Sequence, residues 1–154
     1  MEEPTRWLDE REMAAWKPFV VSAMHLMAQL ERDLKKAFDV TLLDHGILLM
    51  LRHSKAGLTM GHLADQFGTE ASVITYRLAR LEKRGFAQRL RSEKDSREVH
   101  ARITPFGEEL CDHMGPVHIT SVRNHFIDHV PRKDLPAIAD AFEKLYEAQR
   151  NGEV

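Results

Sequence analysis

Cysteine is almost missing from this chain. Cys111 stands alone among 154 residues, so no internal disulfide framework can staple the fold, and a reducing compartment is its natural setting. Long apolar runs are missing too. No stretch approaches the roughly 18 residues a membrane-spanning helix needs. The acidic, polar start MEEPTRWLDEREM lacks the basic and apolar segments of a secretion signal. A cytoplasmic protein with no membrane partner is expected. Catalytic signatures are absent as well: there is no nucleophile elbow, glycine-rich phosphate loop, metalloprotease helix or carboxylate pair, and Gly107 and Gly115 are isolated. An enzyme is not expected, and no cofactor is required. Net charge is small, at −2, so the chain as a whole exerts little pull on nucleic acid.

That small sum conceals an uneven distribution. Residues 1–76 carry 8 basic and 11 acidic side chains, residues 77–102 carry 9 and 4, and residues 103–154 carry 5 and 9. One short stretch is therefore basic by five charges and is flanked by acidic arms, which is the local field a phosphate-binding surface needs. With 43% hydrophobic residues, the chain can also build a core.

Apolar residues recur at helical spacing from Asp9 to about Phe38, with Asp9 as a cap and Pro18 predicting a kink or break near Trp16. The apolar segment 42–53 predicts a buried second helix. Thr59 opens a short third helix that Gly68 ends. Thr69 is a fair cap for a fourth over 70–84, stopped by Gly85. Two short helices with a tight glycine-containing connection form a helix-turn-helix. The period then changes from helical to alternating. Phe86, Gln88 and Leu90 alternate with Ala87, Arg89 and Arg91, and Val99, Ala101 and Ile103 with His100 and Arg102, which predicts a β-hairpin. Thr104-Pro105 starts another helix. It is expected to be interrupted at Gly115-Pro116 and to end near His129, before a last helix over about 132–149. The fold class is mainly α with a small β-hairpin. The terminal helices have nowhere obvious to bury their apolar stripes except against a second copy.

Advancing 100° per residue along the fourth helix puts Ile74, Leu78 and Leu81 toward the core. Ser72, Thr75, Tyr76, Ala79, Arg80 and Lys83 fall on the other side, with Arg77 at the flank. Hydroxyls, a tyrosine and cations around a small alanine suit a major groove, where they can bond phosphates and base edges. A solvated helix face would look the same in isolation. The hairpin decides between them: Arg89, Arg91, Lys94, Arg97 and Arg102 cluster on it, Asp95 can orient Arg97, and arginine is drawn into a narrow minor groove.

The ordered set Leu63-Ala64, Leu81-Glu82-Lys83-Arg84-Gly85, Asp95-Ser96-Arg97 and Ile103-Thr104-Pro105-Phe106-Gly107 resembles the MarR (multiple antibiotic resistance regulator) family of winged helix-turn-helix transcriptional regulators. The resemblance extends to Trp16 and Phe19 and to the Pro116, His118, Val122, Arg123 stretch. It implies a single domain over 1–154, with a winged helix core at 39–104 and dimerisation helices at 5–38 and 105–150. It further implies a homodimer on a pseudo-palindromic double-stranded DNA operator, usually repressing and often released by a small aromatic or anionic effector. The DNA-binding residues are then Ser72, Val73, Thr75, Tyr76, Arg77, Arg80, Lys83, Arg89, Arg91, Lys94, Asp95 and Arg97. Three departures stand out: Tyr76 replaces a commonly basic residue, Arg77 a commonly apolar one, and Pro18 interrupts a first helix that usually continues smoothly in the family.

An effector pocket between the first, second and fifth helices would draw on Trp16, Phe19, Met27, His45, Leu49 and His113. The same residues are equally what a core contains. Arg11, Arg52 or Arg123 would serve an anion. His125 and His129 lie four apart, a workable zinc spacing, and His113 and His118 lie five apart around Pro116. These read better as surface or capping histidines, so zinc is not expected. Cys111, among Glu108, Glu109 and Asp112, reads as a packed apolar residue. The competing function is a winged helix used only for protein contact, as an antagonist of another regulator. The basic cluster argues against it.

Overall fold

Capping residues mark where the helices begin. In the computed structural model, which describes residues 4–91 and 98–152, Asp9 and Glu12 exchange side-chain bonds to each other's backbone N–H at 2.8 and 2.9 Å and start α1, Glu10–Phe38. Thr41 and Asp44 repeat the device at α2, Leu42–His53. Thr59 caps α3, Met60–Phe67, and Thr104 caps α5, Pro105–His125, with Pro105 in its first turn. Between α3 and the wing lies α4, Ala71–Lys83, and Gly85, at φ +80°, lets the chain turn out of it. The wing strands are β2, Ala87–Arg91, and β3, Val99–Ile103; α6, Leu135–Asn151, closes the chain.

The core lies where α1, α2, α3, α4 and α5 converge on the sheet. Leu34, Ile47, Leu48, Leu51, Leu63, Ile74, Leu78, Leu81 and Met114 are fully buried there. Each such side chain contributes roughly 1.5–3 kcal/mol by leaving water. The outer arms are different. α6 buries no residue at all, and much of the N-terminal half of α1 stands in solvent. No helix among the described residues is long and apolar enough to cross a membrane.

Several expectations are corrected. α1 continues through Pro18, so the helix is not broken there, and α5 continues through Gly115-Pro116. Each proline frees one carbonyl four residues earlier, that of Ala14 or Asp112. Both of these residues are exposed, so water can satisfy the freed carbonyl without ending the helix. α5 stops at His125 rather than near His129, because Phe126 leaves helical geometry at φ −140°, ψ −68°. Two 3-10 turns, Ile127–His129 and Arg132–Asp134, follow before α6 begins. The residue capping α4 is Glu70, not Thr69, and its side chain makes no capping bond. The hairpin gains a third strand: β1, Leu58–Thr59, pairs with β3, giving the order β1-β3-β2.

Candidate nucleic-acid interface

The two faces of α4 are those the helical period predicts. Ile74, Leu78 and Leu81 are buried, whereas Ser72, Val73, Thr75, Tyr76, Ala79, Arg80 and Lys83 are exposed. Tyr76, 58% exposed, stands beside Arg80, and its hydroxyl is the main influence raising the pKa of that guanidinium. Thr75 donates its hydroxyl to the Ala71 carbonyl at 2.8 Å, which leaves the oxygen's lone pairs facing outward. Ser72 donates to the Glu70 carboxylate at 3.2 Å. Sequence reasoning passed over Glu70, yet it puts an acceptor at the start of the helix, suited to a base amino group and repelled by phosphate.

Not every cation faces outward. Arg77 is three-quarters buried, with its guanidinium 3.8 Å from the buried Asp44 carboxylate. Arg84 donates to the Asp39 and Phe38 carbonyls at 2.6 and 2.9 Å and lies over the Phe86 ring. Arg89 is held by Glu82, whose carboxylate accepts from its backbone N–H and, at 3.0 and 2.8 Å, from its guanidinium. The hydrogen bonds from its guanidinium, ahead of its charge, in turn keep the Glu82 carboxyl below the usual range. Arg102 donates to the Ala56 carbonyl at 3.2 Å. Arg77 and Arg89 therefore brace the head rather than offer free charge. Proposed DNA contacts with no such tie to another described residue are Lys83 and Arg91. Lys94, Asp95 and Arg97 lie outside the described residues.

The strand register explains Arg89. Ala87 pairs with Ile103, Arg89 with Ala101 and Arg91 with Val99, so these six share one face. Ala87 and Ala101 are buried at the inner end of that face, and Glu82 of α4 meets Arg89 at its margin. Leu90, on the opposite face, is exposed. The alternation predicted from sequence is present, but the face that turns inward is the alanine one.

A single chain does not gather the six candidate effector residues. Trp16, Phe19 and Met27 lie on the exposed part of α1, where Phe19 meets Phe142 of α6 at 5.4 Å between ring centroids. His113 is exposed on α5, and Leu49 borders a cleft with Met50, His53, Leu58 and His62. His45 is buried, its ring centroid 4.5 Å from that of His118. Burial foremost, then the nearby His118, lowers its pKa from 6.5 to about 4, and burial lowers that of His118 too. Two candidate anion partners are engaged: Arg52 with Asp112 at 2.6 Å and Arg123 with Asp128 at 2.5 Å. The helical spacing of His125 and His129 is lost, because the helix ends between them and His129 bonds the Asn124 carbonyl. Burial pushes the Cys111 thiol up, which suits a packed core residue.

A family model described as "MarR family" matches residues 38–98. Over the whole chain the structure is similar to AbsC of Streptomyces coelicolor, a MarR family transcriptional regulator. That match has 32% identity and a TM-score of 0.87, and covers 96% of this chain and 99% of that one. Sco3205 of the same organism, a MarR family regulator solved in complex with DNA, is 26% identical with a TM-score of 0.88, covering 96% and 92%. The uncharacterized HTH-type transcriptional regulator YkoM of Bacillus subtilis is 26% identical over 116 residues, 70% of this chain and 75% of its own.

Proposed function

This chain belongs to the MarR family of DNA-binding transcriptional regulators, and from that premise we propose that it is a homodimeric repressor of a pseudo-palindromic operator, released by a small aromatic or anionic effector. The observation that carries the reading is the outward face of α4, where Ser72, Thr75, Tyr76 and Arg80 surround the small Ala79. Sco3205, solved with DNA, supports a duplex as the partner. The wing, with Arg91 and with Lys94, Asp95 and Arg97 beyond the described residues, follows the groove alongside.

Dimerisation is supported by apolar surface that one chain leaves uncovered. Trp16, Val21 and Met24 on α1, Ile119 on α5, and Phe142 and Leu145 on α6 are all exposed. Large apolar side chains exposed on three helices are what a protein–protein interface covers. Residues 5–38 and 105–150 are then the pairing arms, and 39–104 the reading head. The effector's seat lies between paired arms, which supply the residues one chain leaves scattered. Repression follows from occupancy, since a dimer across a promoter excludes other proteins.

Gel shift and footprinting on the DNA upstream of its own gene test this reading. Two protected half-sites are expected, with an affinity that falls steeply with salt. Arg80, Lys83, Arg91, Lys94 and Arg97, counted twice in a dimer, predict a log–log slope of roughly −5 to −9. A monomer at micromolar concentration, or no shift at low ionic strength, overturns the proposal and favours the protein-contact alternative.

A further inference from the structure

The inward arginines of α4 end in one place. α1 terminates at Phe38, and Asp39 takes the left-handed conformation, φ 53°, ψ 42°. The last carbonyls of a helix have no partner within it and form the negative end of its dipole. Arg84, the residue capping α4, fills that end, with one guanidinium nitrogen on the Asp39 carbonyl and another on that of Phe38. Lysine, a single point charge, cannot reproduce the fork.

The segment that receives it is itself rigid. Val40 is fully buried, the Leu42 N–H donates to the Glu31 carboxylate of α1, and Thr41 with Asp44 closes the capping box of α2. Arg77, about two turns back on the same side of α4, lies against Asp44 in the same segment. Residues 38–44 thus form an elbow between the arm and the head, and the middle and the C-terminal end of α4 rest on it.

We propose that this elbow, clamped by Arg84, fixes the recognition helix relative to the dimerisation arm and so sets the half-site spacing the dimer accepts. Arg84 is a positioning residue and touches no phosphate. The inference rests on the operator-binding dimer proposed above. Two recognition helices reading successive major grooves must stand about one DNA turn, roughly 34–36 Å, apart. One added base pair moves a half-site by about 3.4 Å along the axis. It also turns the half-site about that axis, and a clamped head cannot follow either change.

The test compares full-length wild type, Arg84→Gln and Arg84→Lys on the footprinted operator and on versions with one base pair added or removed between half-sites. Each is titrated over a salt series. Wild type should strongly prefer the natural spacing. Arg84→Gln should narrow that preference by roughly fivefold or more, the scale of a lost charge-assisted bond. Its salt slope should match wild type, with Arg84→Lys falling between the two. An unchanged spacing preference overturns the proposal. So does a slope smaller by about two per dimer, which would make Arg84 a phosphate contact. If Arg84→Gln does not form a folded dimer, Arg84→Lys decides on the same two readouts. Wild type that binds no operator would instead defeat the operator reading itself.

Discussion

Acidification from pH 7 to pH 5 is expected to cost the fold roughly 2 kcal/mol through His45. The ring is 3% exposed, packed between α2 and α5 against His118, and its pKa falls from 6.5 to about 4. Above pH 6.5 neither the folded nor the unfolded chain protonates this ring. Between 6.5 and about 4 the unfolded chain takes up a proton that the folded one refuses, so stability drops as pH falls. Below about 4 the loss levels off near roughly 3 kcal/mol. For a chain this long, each kcal/mol moves Tm by about 2–4 °C, giving a fall of roughly 4–8 °C by pH 5. His118 shifts in the same direction and adds to it. Thermal melts at pH 7, 6 and 5 should be followed by circular dichroism at one protein concentration, because dimer assembly makes Tm concentration-dependent. His45→Leu isolates the effect, since it removes the titrating group whatever it does to absolute stability. The window avoids Glu82, whose carboxyl is held low by Arg89 and loses its contribution only as pH drops below the usual carboxylate range. If wild type and His45→Leu lose the same Tm between pH 7 and pH 5, the reasoning is wrong.

Two further outcomes follow from the packing of the head. A Cβ at Gly107 would lie 2.1 Å from the Phe86 carbonyl oxygen, which already accepts the Thr104 N–H at 3.1 Å. Because that neighbour is backbone, Gly107→Ala should destabilise by roughly 3 kcal/mol or more, and a wild-type midpoint in urea would refute the close approach. Arg89→Gln should leave the salt slope of DNA binding nearly unchanged, whereas Arg80→Gln should reduce it by almost two per dimer. A slope reduced as much by Arg89→Gln as by Arg80→Gln would show that Arg89, despite Glu82, contacts phosphate, and an unchanged slope in Arg80→Gln would refute the Arg80 contact.

Local regularities were the legible part of this fold. Asp9 and Thr104 with Pro105 announce helix starts within a residue or two, and the capping boxes that Glu12 and Asp44 complete belong to the same local chemistry. The burial of Ile74, Leu78 and Leu81 opposite Tyr76 and Arg80 follows from the helical period alone. β1 was not legible, because a two-residue strand has no period to detect. The two prolines misled for a different reason. A proline removes one hydrogen bond and crowds the carbonyl four residues back, and whether packing of the rest of the helix outweighs that cost is a property of the folded structure.

Order along the chain, the helix-turn-helix, the wing and the family could all be determined from the sequence by itself, since each rests on contacts between near neighbours or on recurring residue types. What each arginine does was decided only by the tertiary structure. Arg84 finds its carbonyls 45 and 46 residues away, Arg102 finds its own 46 away, and Arg77 meets Asp44 from another helix. A cation's partner is whatever the fold brings within about 3 to 4 Å. Sequence can count the charges in residues 77–102, but only packing separates those that hold the head together from those left to meet DNA.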